Sequence, residues 1–550
     1  MDEGMRKEWP GDLDPKLNYS KGQKPLHEYL RDNARLNPEK VAIIWYGREI
    51  TYKELDDLSE GFATYLSKSG VKKGEHVALF LSNSPQYFIA HYGIQKIGAV
   101  VGPCSPLFKE WELEYQLNDM QAKVIVAVDS VYDVIAKVQS KTKIEQIILT
   151  SYSDFLPEKP TLNVPEEFFQ PKPVISGVQD MLTVIKGVEA LNSVVEVDME
   201  DVSLLIYTSG TTGKPKGAML TYKNALFKAA AVSQSSSIMA EDVLLTVVPL
   251  YHIAGMLLGV NCPIYANASI VLLYRFDPIV VLQAIDLYKC TWWYSVAPMN
   301  IAVMQVKNAG VYNFTSLKTC RATSFGITLN QEIAQKWAEF TGGCGLCEGA
   351  YGLSETHTAD TFMPSKAVKW GTQGIPNYET KMKIIDPETG KERPSGEMGE
   401  IVISNPGVFM GYWNKPKETT QTLSNGWVYT GDMGILDEDN YLTFCGRFKE
   451  MIKVSGYSVF PEEVEAMLIR YEGIAQVAVT GISDAQKGEV VKAYVVVKPD
   501  QRANITAEKI IEWAKQKMAP YKVPRLVEFR ESLPATGAGK VLRRLLKEEQ

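Results

Sequence analysis

Two hydrophobic periodicities alternate along the first part of the chain. Stretches with helical spacing (HEYLRDNARL from His27, TYKELDDLSEGFATYLSKSG from Thr51, QYFIAHYGIQKIGAV from Gln86) take turns with short apolar runs (VAIIWYG from Val41, HVALFLSN from His76, AKVIVAV from Ala122). Uninterrupted apolar strands separated by amphipathic helices predict crossover units and a largely parallel sheet covered on both faces, so residues 24–150 read as α/β. Thr51 followed by Glu54 predicts a capping box at the start of the second helix. Prolines 157, 160, 165, 171 and 173 predict a long surface excursion, as an insertion or a subdomain boundary.

The alternation resumes from Val202 to about Ile403, with SLLIYTSG, SIVLLYRF and CTWWYSV as strands and NALFKAAAVSQSS and LNQEIAQKWAEFTGG as helices. Val243 to Tyr274 contains no Asp, Glu, Lys or Arg and is long enough to cross a bilayer. Its prolines, glycines and asparagines break it into pieces that suit buried strands and a short helix, so no membrane span is expected. ETKMKIIDPETGKERPSGEMGEIVISN predicts hairpin-rich β structure. Past Gly446, helices PEEVEAMLIRY and TAEKIIEWAKQKM flank strands IAQVAVTGI and EVVKAYVVVKP. The expected fold is α/β: a large amino-terminal region of helix-covered sheets plus a β-rich part, residues 1–448, followed by a small mobile α+β domain, residues 449–550.

Composition narrows the function. The 550 residues exceed what one core organises, and 45% hydrophobic with 22% charged residues is globular. The net charge of −7 argues against nonspecific nucleic-acid or anionic-membrane binding, while leaving room for a local basic pocket. The seven cysteines are scattered, which fits a reducing cytoplasm, and the CxxC of Cys344 and Cys347 lacks a second pair for zinc and reads as incidental thiols. The first residues, MDEGMRKEWPGDLDPKLNY, lack an apolar run, so neither signal peptide nor anchor is expected. The oligomeric state stays open, a homodimer included.

The strongest chemical signal is YTSGTTGKPKG, Tyr207 to Gly217, directly after an apolar strand. Its glycines let backbone N–H groups converge on an anion, Thr208, Ser209, Thr211 and Thr212 add hydroxyl donors, and Lys214 and Lys216 add charge. It is a phosphate-gripping loop but not a Walker loop, because Gly210 and Gly213 are too close together and Pro215 follows Lys214. Downstream stand YGLSE (Tyr351 to Glu355), WVYTGDMG (Trp427 to Gly434), GRFKEMIKVSGYSVFPEEVE (Gly446 to Glu465) and PATGAGKVLRR (Pro534 to Arg544). In this order the five segments resemble the superfamily of acyl- and aryl-CoA synthetases, nonribosomal-peptide adenylation domains and luciferases, over nearly the whole chain.

That resemblance implies ATP-dependent adenylation of a carboxylic acid, with Mg²⁺ as metal and CoA as co-substrate. It implies that the loop from Thr208 through Ser209, Gly210, Thr211, Thr212, Gly213 and Lys214 to Lys216 holds the phosphates, and that Glu355 and Thr208 ligate Mg²⁺. Gly349, Ala350, Tyr351, Gly352 and Ser354 would line the nucleotide, with Tyr351 on adenine and Asp432 and Arg447 at the ribose hydroxyls. Lys540 would be the catalytic lysine bridging the α-phosphate and the attacking carboxylate, and His252 the gate of the acyl site. Lys449 matches the hinge about which the small domain rotates, bringing the Ser455–Gly456 face into place, where Gly456 leaves room for the pantetheine arm of CoA.

Some residues depart from the pattern. Ser324 to Leu329 replaces the usual small-residue run, so the ring of Phe325 would shorten or divert the pocket, and Glu450 stands where aspartate is frequent. The segments expected to line the acid carry Tyr251, His252, Trp293, Tyr294, Met299, Phe325 and His357, an apolar and aromatic set that favours an aliphatic or aryl acid over an amino acid. Residues 100–119 look most like fatty acyl-CoA synthetases. The expected activity is therefore an AMP-forming acid–CoA ligase acting on a fatty acid. A stand-alone enzyme charging a carrier-protein thiol shares every ATP motif, and a non-catalytic nucleotide-binding regulator would typically lack Lys540 or Glu355, which are both present.

Overall fold

The computed structural model describes residues 9–186, 195–208, 215–324, 327–454, 457–484, 488–502, 504–536 and 541–548. Among these, two seven-stranded sheets build the large amino-terminal domain. Across the first lie Gln179–Asp180, Gln146–Thr150, Val124–Val128, His76–Phe80, Val100–Pro103, Val202–Thr208 and Lys216–Thr221. Its strands are parallel up to the final pair, an antiparallel hairpin in which Thr208 faces Lys216. The phosphate-loop sequence therefore connects two antiparallel strands instead of leading from strand into helix, which independently removes a Walker arrangement.

The second sheet runs Gly345–Glu348, Thr319–Thr323, Trp292–Val296, Val243–Thr246, Ser269–Leu272 and Val41–Trp45, all parallel, with Arg48–Thr51 antiparallel at its edge. The unbroken apolar strands follow from coverage of both faces by helices. Helix Pro85–Lys96 is the extreme case, with every residue buried. Just before it, buried Asn83 ties the sheets together: its Nδ2 donates to the carbonyls of Val247, Val248 and Leu273, and its Oδ1 accepts from Leu250 N at 2.9 Å.

One local expectation changes, one is refined and one holds. Thr51 Oγ1 caps helix Tyr52–Lys68 by accepting from Glu54 N at 3.1 Å, but the Glu54 carboxylate pairs with Arg48, so only half the box forms. The proline-rich stretch runs over the surface as expected but is pinned by two buried side chains, Leu162 and Phe168, the latter packed against Trp45, Tyr152 and Tyr274. The uncharged stretch holds strands Val243–Thr246 and Ser269–Leu272 and a helical segment with one π-turn, Leu257–Asn261. No described helix is long and apolar enough to cross a membrane.

The β-rich part is a five-stranded antiparallel sheet of Lys381–Ile385, Met398–Ser404, Trp427–Leu436, Leu423–Ser424 and Leu442–Arg447. The smaller carboxyl-terminal domain has its own sheet, Tyr457–Val459, Ile452–Val454, Gly488–Val497, Ile474–Asp484 and Leu526–Phe529, under helices Pro461–Leu468 and Ala507–Lys517. Ile452, Val464, Leu468, Val479, Val495 and Ile510 give it a core separate from that of the large sheets. The expected α/β domain followed by a small α+β domain is the architecture observed.

Candidate active site

The site gathers where strand Val202–Thr208, the segment Gly349–Glu355 and the β-rich sheet approach one another. Thr208 ends its strand directly opposite Lys216, so both flank the loop whose tip, Ser209 to Lys214, lies outside the described residues. The Thr208 hydroxyl is buried and finds no hydrogen-bond partner among the described residues. Lys216 is half-buried, with Nζ 4.1 Å from the centre of the Tyr412 ring. Burial lowers its pKa, and the nearby Glu355 carboxylate opposes that shift. Tyr412 Oη in turn donates to Glu355 Oε1 at 2.6 Å.

Glu355 sits in the single turn Ser354–Thr356, and its carbonyl accepts from Phe409 N at 2.8 Å. The preceding backbone is equally fixed. Gly349 N donates to Ala322 O, Tyr351 N to Thr361 Oγ1 at 2.8 Å, and Asp360 N to Tyr351 O at 2.8 Å. Gly352 cannot be replaced cheaply, since a Cβ there would collide with the Thr358–Ala359 backbone.

A second cluster faces the other end of this segment. Asp432 and Arg447 are cross-strand neighbours in the β-rich sheet, with Arg447 Nε 3.3 Å from Asp432 Oδ1. Tyr351 Oη donates to Asp432 Oδ2 at 2.7 Å. Burial, with the Asp432 charge behind it, raises the Tyr351 phenol far above its ordinary pKa, so it remains a donor throughout the working range. Buried Asp432 thus presents an acceptor beside the Arg447 donor, the pairing a vicinal diol requires.

His252 is half-buried and caps the short helix Ile253–Met256, Nδ1 accepting from Ala254 N at 3.4 Å. The turn before it is held by Asn83 and needs glycine at 255, where a Cβ would strike the carbonyl of Pro249. Of the residues expected to line the acid, Tyr294 points to the site side, with Oη 2.7 Å from Thr323 Oγ1. Trp293 does not: strand alternation turns it to the opposite face, fully buried on Trp337 at 5.7 Å. His357 is completely buried in left-handed backbone, φ 57°, with both ring nitrogens unpartnered among the described residues.

Ser455, Gly456, Lys540 and Phe325 lie outside the described residues, as do Gly210, Thr211, Thr212 and Gly213. Cys344, just before strand Gly345–Glu348, and Cys347, within it, are buried free thiols. Three site residues escaped the sequence reading. Tyr412 lies in the run GYW and Asn83 in a turn-like SNSP, and only their distant partners reveal them. The third is Glu348, a buried carboxyl beside Gly349 that burial raises to about 7 while the Ser324 hydroxyl and N–H hold it.

Thr208 and Glu355 suit a hard cation completed by phosphate oxygens, since they offer a hydroxyl with no partner among the described residues and a carboxylate at the loop mouth. The Thr208–Lys216–Glu355 corner and the Asp432–Arg447 pair thus stand at the two ends of the segment Gly349–Glu355. The sequence profile of the AMP-binding enzyme family matches residues 30–413 and that of its C-terminal domain residues 463–540, so the chain belongs to this family of adenylate-forming enzymes. It is 36% identical over 554 residues to a long-chain-fatty-acid–CoA ligase of Bacillus subtilis strain 168, covering 99% of this chain and 97% of that one. It is 30% identical to a feruloyl-CoA synthase of Amycolatopsis, covering 93% and 96%. Among solved structures, ATP-bound MatB from Rhodopseudomonas palustris superposes with a TM-score of 0.81 at 26% identity, covering 96% of this chain and 99% of that one.

Proposed function

We propose that the protein is an AMP-forming acid–CoA ligase that adenylates a carboxylic acid, foremost a fatty acid, and passes the acyl group to CoA. One observation carries the reading: the Thr208–Lys216–Glu355 corner and the Asp432–Arg447 pair lie at opposite ends of one rigid segment, spaced in sequence as phosphate and ribose contacts. The substrate carboxylate attacks the α-phosphate, pyrophosphate leaves, and negative charge grows on the phosphoryl oxygens. Lys216 meets that charge, and the Thr208 hydroxyl, which has no partner among the described residues, supplies a donor. Mg²⁺, held by Glu355 and Thr208, would add a charge-neutralising Lewis acid. Asp432 accepts from the ribose hydroxyls and Arg447 donates to them.

Lys540 is assigned to bridge carboxylate and α-phosphate in this first step. In the second, the CoA thiolate attacks the acyl-adenylate carbonyl and expels AMP. We assign that geometry to a rotation of residues 449–550 about Lys449, which withdraws Lys540 and presents Ser455 and Gly456. The fatty acid is favoured by the 36% identity to a long-chain-fatty-acid–CoA ligase, and the feruloyl-CoA synthase relative makes aryl acids the next class to try.

The test is mass spectrometry of products after mixing protein, ATP, Mg²⁺ and CoA with short, medium, long, hydroxylated and aromatic acids. AMP together with an acyl-CoA is the expected result, with long-chain acids turned over fastest. AMP or acyl-adenylate without thioester would replace CoA by a carrier-protein thiol, and no nucleotide turnover with any acid would overturn the enzymatic reading.

A further inference from the structure

Tyr412 occupies a position between the two charged groups of the phosphate corner. It is 4% exposed, in a segment that runs antiparallel beside Lys216–Thr221: Met410 N donates to Met219 O, Met219 N to Gly411 O, and Trp413 N to Gly217 O, all within 2.8 to 3.0 Å. Gly411 before it has φ 133° and no room for a side chain, since a Cβ would stand 2.7 Å from Thr419 Cγ2. The Thr419 hydroxyl accepts from Tyr412 N at 2.9 Å, and the Phe409 ring meets the Tyr412 ring edge-on at 4.9 Å. Backbone and ring are therefore held from several sides.

That fixed ring touches both Glu355 and Lys216. Its hydroxyl binds one carboxylate oxygen of Glu355 at 2.6 Å, while Glu355 Oε2 has no hydrogen bond among the described residues. Its face lies under the Lys216 ammonium at 4.1 Å, a geometry in which the ring quadrupole attracts the cation. Without Tyr412 the two would be free to close on each other as an ion pair, which would consume the charges that a nucleotide–metal complex needs.

We propose that Tyr412 is a positioning residue for metal-bound nucleotide: it orients the Glu355 carboxylate through Oη, and holds the Lys216 ammonium on its ring face, keeping the anion and cation apart and ready. The proposal rests on the reading of Glu355 as metal ligand and Lys216 as phosphate contact. Two variants separate the two contacts, because Tyr412→Phe removes the hydroxyl and keeps the ring, and Tyr412→Leu removes both.

The test measures equilibrium binding of a nonhydrolysable ATP analogue, with and without Mn²⁺, the bound ion being followed by its paramagnetic resonance. Tyr412→Phe should weaken Mn²⁺ in the ternary complex about 10- to 100-fold, the range seen when a hydrogen-bond partner of a metal ligand is removed. Its metal-free binding of the analogue should match that of the wild type. Tyr412→Leu should lose affinity in both conditions. Unchanged Mn²⁺ binding in Tyr412→Phe would overturn the proposal, as would equal losses of metal-bound nucleotide, metal-free nucleotide and acid together with a fall in melting temperature. Glu355→Gln serves as the reference: if it too binds Mn²⁺–nucleotide like the wild type, the reading of Glu355 itself falls.

Discussion

Asn83 shows how much one polar side chain can hold in a buried seam. Its amide group satisfies three carbonyls and one N–H of the segments that carry Leu250 and Leu273, and neither a carboxylate nor a methyl group can do the same. Asn83→Ala should lower stability by about 3 kcal/mol or more, because the Leu250 N–H and the facing carbonyls lose their partners in a dry site. Asn83→Asp should be at least as damaging near neutral pH, since its oxygens would face three carbonyl oxygens. Urea unfolding followed by tryptophan fluorescence checks both; a loss within ~0.5 kcal/mol, as for a surface site, would refute the role. What is legible in the sequence depends on how far apart along the chain the partners stand. Thr208, Lys216, Tyr351, Glu355, Asp432 and Arg447 stand in compact motifs, and the structure brings them to one ledge. Asn83 and Tyr412 act on partners more than fifty positions away, and no local pattern marks them.

At the scale of elements, helix Arg543–Glu548 is only six residues long and is held by its contacts. Leu546 is buried and its carbonyl accepts from Tyr494 Oη at 2.9 Å. Arg543 reaches Glu450 at 2.5 Å, Glu462 at 2.7 Å and Glu465 at 2.7 Å, binding the end of the chain to the start of helix Pro461–Leu468. Burial raises the Glu462 carboxyl to about 7, while the Arg543 charge pulls it down. Arg543→Ala should therefore destabilise the small domain by about 3 kcal/mol or more at pH 8, leaving three crowded carboxylates. The deficit should shrink toward pH 5.5, where Glu462, raised by burial, takes up a proton and relieves the crowding. Thermal melts at the two pH values decide it, and a deficit that grows on acidification would exclude this account. Elements with strong periodicity, such as Tyr52–Lys68 and Ala507–Lys517, were readable because their apolar spacing reports burial directly. The inward packing of Phe168, the π-turn at Leu257–Asn261 and the burial of Trp293 on the sheet face away from the site were not, since each depends on tertiary neighbours that override local preference.

The whole molecule buries titratable groups of both signs, and their proton balance sets its acid stability. His27, His91 and His357 are buried in the large domain, and burial lowers each to about 3 from an ordinary 6.5. An unfolded chain protonates all three as pH falls below 6.5, whereas the native fold does not until near 3, so the stability they contribute is present above 6.5 and lost on acidification. Glu348 and Glu462 act in the opposite sense. Raised from 4.5 to about 7, they take up protons in the fold before the unfolded chain does, so their stabilisation is complete below 4.5 and lost as pH rises toward 7. Between pH 6.5 and 4.5 the two carboxyls offset two of the three histidines; below 4.5 the carboxyl offset is exhausted and the histidines act unopposed. Stability should therefore fall gently down to about pH 4.5 and steeply beneath it. His91→Gln isolates the histidine part. Whatever packing it loses at pH 7, the stability gap to wild type should move in the variant's favour by about 1.4 kcal/mol for each pH unit below 6.5. Urea titrations at pH 7, 5.5 and 4.5 measure that gap, and a gap independent of pH would mean that His91 protonates in the fold as readily as in the open chain.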